Sequence, residues 1–186
     1  MTELLINSDR NSDRNSYKNS DKHIKAGDVD VTIRPITSDD IEIEAAFMRD
    51  LSAQVKHENS LSSNRELSSS MISTLCNTDH INSMAYIATI QQGANEKQIG
   101  IGLYATVSKS DEREMAVTVS DEFQHQGIAK QLANHLIEHA RTNSIKKLIL
   151  IELCSNYKMR ELAESLGMAS IIDPKNSSQV IFSMNL

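Results

Sequence analysis

Residues 114 to 153 hold the pattern that most narrows what this chain can fold into: strand, glycine-bearing turn, helix, strand. In the first stretch Met115, Val117 and Val119 alternate with Glu114, Ala116 and Thr118, the period of a strand. From Gly127 to about Thr142, the residues Ile128, Ala129, Leu132, Ala133, Leu136, Ile137 and Ala140 fall on one broad helical face. Lys147-Leu-Ile-Leu-Ile-Glu-Leu153 is then a continuous apolar run of the kind buried on both sides of a sheet. Strand, helix and strand in that order demand a right-handed crossover and therefore a parallel strand pair. Ligands of such a pair sit beyond its carboxyl ends, here where Gln124–Ala129 meets Asn156.

The turn itself is informative. Gln124-His125-Gln126-Gly127-Ile128-Ala129 puts small residues at 127 and 129, where the helix should begin. A helix start has unpaired N–H groups and a partial positive charge, and small side chains let a phosphate approach them. The loop is thus a candidate pyrophosphate cradle, against the plain alternative of an ordinary strand-to-helix turn. It is not a G-x-G-x-x-G fingerprint, since it has one glycine, and no P-loop Lys-Ser/Thr follows.

The rest of the chain supplies a mostly antiparallel frame. Val29, Val31 and Ile33 alternate up to Pro35, and Thr37-Ser38-Asp39-Asp40 signals a helix carrying Ile41, Ala45, Met48 and Leu51. Residues 52–80 are polar and serine-rich, with a weak helix through Leu67, Met71 and Leu75. Residues 84–90 form a strand, Gln92-Gly93-Ala94-Asn95 turns it, and 98–107 return as its hairpin partner before a second turn at 108–112. Asn156 caps a further helix that Gly167 ends, and Asp173-Pro174 precedes a closing strand near Val180–Phe182. The fold class is α/β: a mixed, mostly antiparallel sheet around one parallel pair.

Ahead of this domain stand four tandem tetrapeptides beginning at Asn7, Asn11, Asn15 and Asn19, nearly devoid of apolar residues. Such a segment cannot repay its ordering entropy, so residues 1–27 read as a disordered leader and 28–186 as one domain. A docking arm that folds on binding is the alternative for the leader. The net charge of −6 argues against nucleic acid as the partner. No apolar run approaches the ~18 residues of a membrane span, and the start lacks a secretory pattern. Cys76 and Cys154 read as reduced thiols of a cytoplasmic protein. His135 and His139 are four apart on the helix, but no third ligand has metal-site spacing, so no metal is expected.

Two ordered segments resemble the GNAT N-acetyltransferases. Gln124-x-x-Gly127-x-Ala129, after the strand Val117-x-Val119, is similar to that family's acyl-CoA motif Arg/Gln-x-x-Gly-x-Gly/Ala. Asn156-Tyr-Lys-Met159-Arg-Glu-Leu162-Ala-Glu-Ser-Leu166-Gly167-Met168 is similar to its closing N-x-x-M-x-x-L-x-x-x-x-G-F/M segment. Finer features resemble the acetyltransferase domain of bacterial Pat-type protein-lysine acetyltransferases: Asn64-Arg65, Asp79 with Met84-Ala85, and the strand Glu114-Met-Ala-Val-Thr-Val119. Three departures stand out. Ala129 replaces the commoner second Gly, Gln124 the frequent Arg, and Ala163 the Tyr that many members use as acid for the leaving thiolate. The Pat-type pattern also lacks that Tyr.

The resemblance implies a parallel pair splayed around acetyl-CoA, with helices on both sheet faces. It implies acetyl transfer from acetyl-CoA to a primary amine, a protein lysine foremost, with acetyl-CoA as co-substrate and a homodimer left open. The alternatives are a small-molecule amine acetyltransferase and a non-catalytic acetyl-CoA-binding module. A lysine-like amine is mostly protonated at neutral pH, so a carboxylate base is useful. Glu114 is the candidate base, weighed against a solvated strand-end glutamate, and Glu152 is the runner-up. The coenzyme contacts implied are the backbone of Val117 and Val119, then Gln124, His125, Gln126, Gly127, Ile128, Ala129 and Lys130 at the pyrophosphate. Asn156 would meet the pantetheine or thiol end, or serve only as a helix cap.

Overall fold

The structure is a computed structural model and describes residues 21–58, 69–106 and 112–186. The tetrapeptides up to residue 20, Asn64-Arg65, Leu67 and most of the 108–112 turn lie outside the described residues. The strands are β1 Lys22–Ala26, β2 Val29–Pro35, β3 Met84–Gln92, β4 Asn95–Thr106, β5 Glu112–Val119, β6 Lys147–Leu153, β7 Ala169–Asp173 and β8 Asn176–Asn185. They form one sheet in the order β1-β2-β3-β4-β5-β6-β8-β7, in which only β5 and β6 run parallel. The helices are α1 Ile41–Asp50, α2 Ala53–Glu58, α3 Ser69–Cys76, α4 Ile128–Thr142 and α5 Tyr157–Ser165.

Alternation along the strands divides the core between two faces. On β3, Met84, Tyr86 and Ala88 join the cluster under α4 and α5, while Ala85 and Ile87 join Phe47, Leu51, Val55, Ile72 and Cys76 of α1 to α3. The mixed sheet with helices on both faces that the sequence predicts is therefore present. On the first face α4 lies unusually close. A β-carbon at Gly102 would meet Leu132 Cβ at 3.1 Å and Leu136 Cδ1 at 3.2 Å, and one at Gly100 would meet Leu132 Cδ1 at 3.3 Å.

Three elements differ from the sequence reading. The leader expected through residue 27 gives way at Lys22 to a strand, because β1 pairs along its whole length with β2 and buries Ala26. The short α2 and the edge strand β7 were not expected. All but the last residue of β7 are exposed, with Ile171 and Ile172 facing outward, so no burial pattern marks it.

Polar groups tie the second face together. Arg34 of β2 grips both oxygens of Asp40 (2.7 and 2.8 Å) and reaches Glu96 of β4 at 2.8 Å. Glu44 of α1 is wholly buried and accepts the side-chain amide of Gln98 on β4. Burial pushes its carboxyl up to about 7, against the opposing hydrogen bond from Gln98.

Candidate active site

β5 and β6 stay paired only through Glu112 with Lys147, Arg113 with Leu148 and Glu114 with Ile149. Beyond that point β5 keeps its other neighbour, pairing with β4 as far as Val119, while β6 keeps β8 as far as Leu153. The two strands must therefore part, and a cavity of about 280 Å³ occupies the cleft. Val117, Thr118 and Val119 wall it on one side, the loop and first turn of α4 on another, and Asn156, Lys158, Met159 and Leu162 on a third. Val55 of α2 also reaches it, so the cavity runs through the parted sheet from one helical layer to the other.

The loop before α4 is shaped by two left-handed residues, His125 (φ +60°) and Gly127 (φ +80°). Only glycine takes that conformation without steric cost. A β-carbon at Gly127 would touch nothing within 4 Å, so the backbone angle, rather than crowding, is what calls for glycine there. The first turn of α4 has no side-chain cap among the described residues and no acidic side chain. Gly127, Ile128, Ala129 and Lys130 all line the cavity, so uncapped N–H groups and the positive end of the helix border it. That arrangement suits an anion such as a diphosphate.

Val117, Val119, Gln124, His125 and Asn156 line the same cavity. Gln124 is anchored through Nε2 to the Val119 carbonyl (3.3 Å), and its Oε1 accepts from Lys158 Nζ at 2.7 Å. Gln126 is the member of the expected cradle that turns away: its Nε2 donates to the Glu122 carbonyl at 3.2 Å, and it forms no part of the wall.

Asn156 does two things at the start of α5. Its Oδ1 accepts from the Met159 N–H (3.1 Å) as a helix cap, and its Nδ2 donates to Glu152 Oε2 at 3.0 Å. Both side chains are buried. Glu152 thus sits beneath the cavity wall, holding Asn156 in place. Glu114 lies at the last residue pair before the strands part, half-buried on the side facing α1 to α3, and burial raises its pKa. A carboxyl so placed can exchange a proton with an amine entering from that side.

Of the other residues weighed from sequence, His135 bonds the Gln131 carbonyl (2.7 Å) and His139 bonds the Tyr104 hydroxyl (2.7 Å), both along α4. Ala163 is buried, and Tyr157 is 68% exposed, with Arg160 above its ring. The sequence reading missed Lys158, Thr118 and Val55 in the wall. Lys158 had a signal, since it is two residues after the cap Asn156 on the first turn of α5. Val55 had none, because its helix was not foreseen.

The geometry has known counterparts. The family model described as "Acetyltransferase (GNAT) domain" matches residues 30–169. An acetyltransferase of Pseudomonas aeruginosa is 33% identical over 156 residues, which is 84% of each chain. Among solved structures, the GNAT domain of S. lividans PAT superposes with a TM-score of 0.78 at 22% identity, covering 89% of this chain and 97% of that one. The ribosomal-protein-S5-alanine acetyltransferase of Vibrio fischeri gives a TM-score of 0.71 at 12% identity, over 89% and 96% of the chains. RimL, a ribosomal L7/L12 alpha-N-protein acetyltransferase solved with coenzyme A, gives 0.65 at 11%, over 89% and 98%. The parted β-strands, the open helix start and the extent of these matches lead to one conclusion: the chain belongs to the GNAT acetyltransferase family and is an acyltransferase.

Proposed function

We propose that this protein moves an acetyl group from acetyl-CoA to a primary amine, with a protein lysine side chain as the acceptor. The observation that carries the reading is the through-sheet cavity bordered by the open helix start of α4; Glu114, not itself part of the wall, stands at the last residue pair before the strands part. The residues present suit coenzyme A: bare N–H groups of α4 for the diphosphate, and the free edge of β5 from Val117 to Val119 for the pantetheine amides. Holding both reactants in one channel supplies the proximity that thioester aminolysis needs.

In this reading the acceptor enters from the side of α1 to α3. Glu114, as carboxylate, takes a proton from the ammonium directly or through water. The neutral nitrogen attacks the acetyl carbonyl, the new C–N bond forms, the C–S bond breaks, and the thiolate of coenzyme A leaves and takes up the second proton that the nitrogen sheds. Backbone N–H groups near Val117–Val119 steady the developing oxyanion. Glu152 acts through Asn156 and needs no contact with substrate. An acidic chain, net −6, suits a basic lysine-bearing protein as acceptor.

The test is release of coenzyme A from acetyl-CoA across panels of proteins, polyamines and aminoglycosides, with intact-protein mass spectrometry of each candidate substrate. A gain of one acetyl group on a protein lysine is the expected result. Acetylation of small amines alone would move the function to a small-molecule enzyme. Tight acetyl-CoA binding without any release would make the protein a binding module.

A further inference from the structure

The cavity mouth poses a charge problem. The chain is acidic, and a helix start offers only about half a positive charge to a diphosphate that carries at least two negative ones. Gln124, at the head of the loop, is neutral. Among the residues lining the cavity, the lysines are Lys130, on the same helix start, and Lys158, on the opposite wall in the first turn of α5. Glu161 lines the same wall and opposes them.

Lys158 is not left to wander. Its Nζ rests 2.7 Å from Gln124 Oε1, and Gln124 is itself fixed by the bond from its Nε2 to the Val119 carbonyl. This chain of contacts runs from the end of β5, through a neutral amide, to an ammonium drawn across the mouth. The amide oxygen uses one of the three N–H donors of Lys158 and leaves two for phosphate oxygens. A cationic residue at 124 would repel Lys158, whereas glutamine attracts it. We propose that Lys158 is the diphosphate-binding cation of this site and that Gln124 is the positioning residue that holds it there.

The proposal rests on the acetyl-CoA reading, and titration of the full chain with coenzyme A and 3′-dephospho-coenzyme A at several salt concentrations tests it. Lys158→Ala is expected to weaken both ligands by about tenfold, the scale of one charge-assisted hydrogen bond, and to flatten the salt dependence. In turnover, KM for acetyl-CoA rises while kcat stays within about twofold, the mark of lost uniform binding. Gln124→Ala costs less and adds nothing in the Lys158→Ala background, because its effect passes through the lysine. Gln124→Arg placed in that background recovers most of the affinity.

Lys158 is an exposed residue, so these variants should fold. Affinity for both ligands within twofold of wild type in Lys158→Ala overturns the assignment and leaves the acetyl-CoA reading standing. A loss confined to coenzyme A, with the dephospho form unaffected, also overturns it, since the ammonium would then serve the 3′-phosphate. Independent, additive losses from the two substitutions remove the positioning role of Gln124. Failure of the wild-type protein to bind either ligand sinks both readings together.

Discussion

Two helices start at the same cavity, and they start in opposite ways. α4 begins at a left-handed glycine with no side-chain cap and no acidic residue in its first turn. α5 begins at Asn156, whose side-chain Oδ1 caps the Met159 N–H while its Nδ2 donates to the buried Glu152. Both face the same problem of unpaired N–H groups. The longer α4 can leave its donors open because Ile128, Leu132, Ala133, Leu136, Ile137 and Ala140 anchor it to the sheet. The nine-residue α5 buries Ala163 fully and packs Met159 and Leu162 only in part, and it closes its start with the cap. One start is left open toward the cavity, and the other is closed by a side chain of the wall.

Closing the open start should have the largest effect. Gly127→Glu forces a side chain onto φ +80° and sets a carboxylate at the positive pole of α4. Acetyl-CoA affinity is expected to fall by more than about a hundredfold with the far-ultraviolet circular dichroism retained. Undiminished binding by calorimetry would erase the contrast between the two helices. Next comes the group at the apex of the cleft, which the contrast leaves untouched. Glu114→Gln should lower kcat about a hundredfold while acetyl-CoA binds as before. Burial raises the Glu114 pKa, so the wild-type rate should fall, as pH drops, earlier than for an ordinary glutamate. The variant should lack that acid limb; an unchanged pH–rate profile would remove the base.

A third measurement checks that stability and ligand binding are separable. The Glu44 pKa is raised from 4.5 to about 7, so the stability it lends is full below its unfolded value and is lost as pH rises through the folded one. Chemical denaturation at pH 5 and pH 8 should show wild type losing about 2–3 kcal/mol that Glu44→Gln does not lose. Equal losses in the two proteins would contradict a buried carboxyl at that position. The smallest effect belongs to opening the closed start. Asn156→Ala removes one cap and leaves Glu152 with one partner fewer, costing about 1–2 kcal/mol. If denaturation shows no cost, α5 is held by something other than its cap.

The central β-α-β unit was legible because its two periods are strong: alternation at Met115, Val117 and Val119, then a helical face from Ile128 to Ala140. The loop between them was legible through Gly127. The direction of the Gln126 side chain was not legible, since spacing says which residues share a loop and not which way a side chain turns, and here its Nε2 donates to the Glu122 carbonyl. β1 was lost within polar residues because only Ile24 and Ala26 pack inward, and that depends on β2 being there to pair with. β7 has no inward side at all. Glu44 and Lys158 were missed for one reason: each owes its character to contacts distant in sequence, Glu44 to its burial beneath α1 and Lys158 to Gln124.

The bare backbone at Gly100 and Gly102 carries a consequence of its own. Because α4 is seated directly on these two positions, the height of its positive end above the sheet is set from beneath by a strand that lines none of the cavity. A single methyl group at Gly102 would act as a shim, levering the helix outward against Leu132 and Leu136. Affinity could then vanish through a change that no map of ligand contacts would flag, which makes the floor of the sheet as sensitive a place for variation as the mouth it supports.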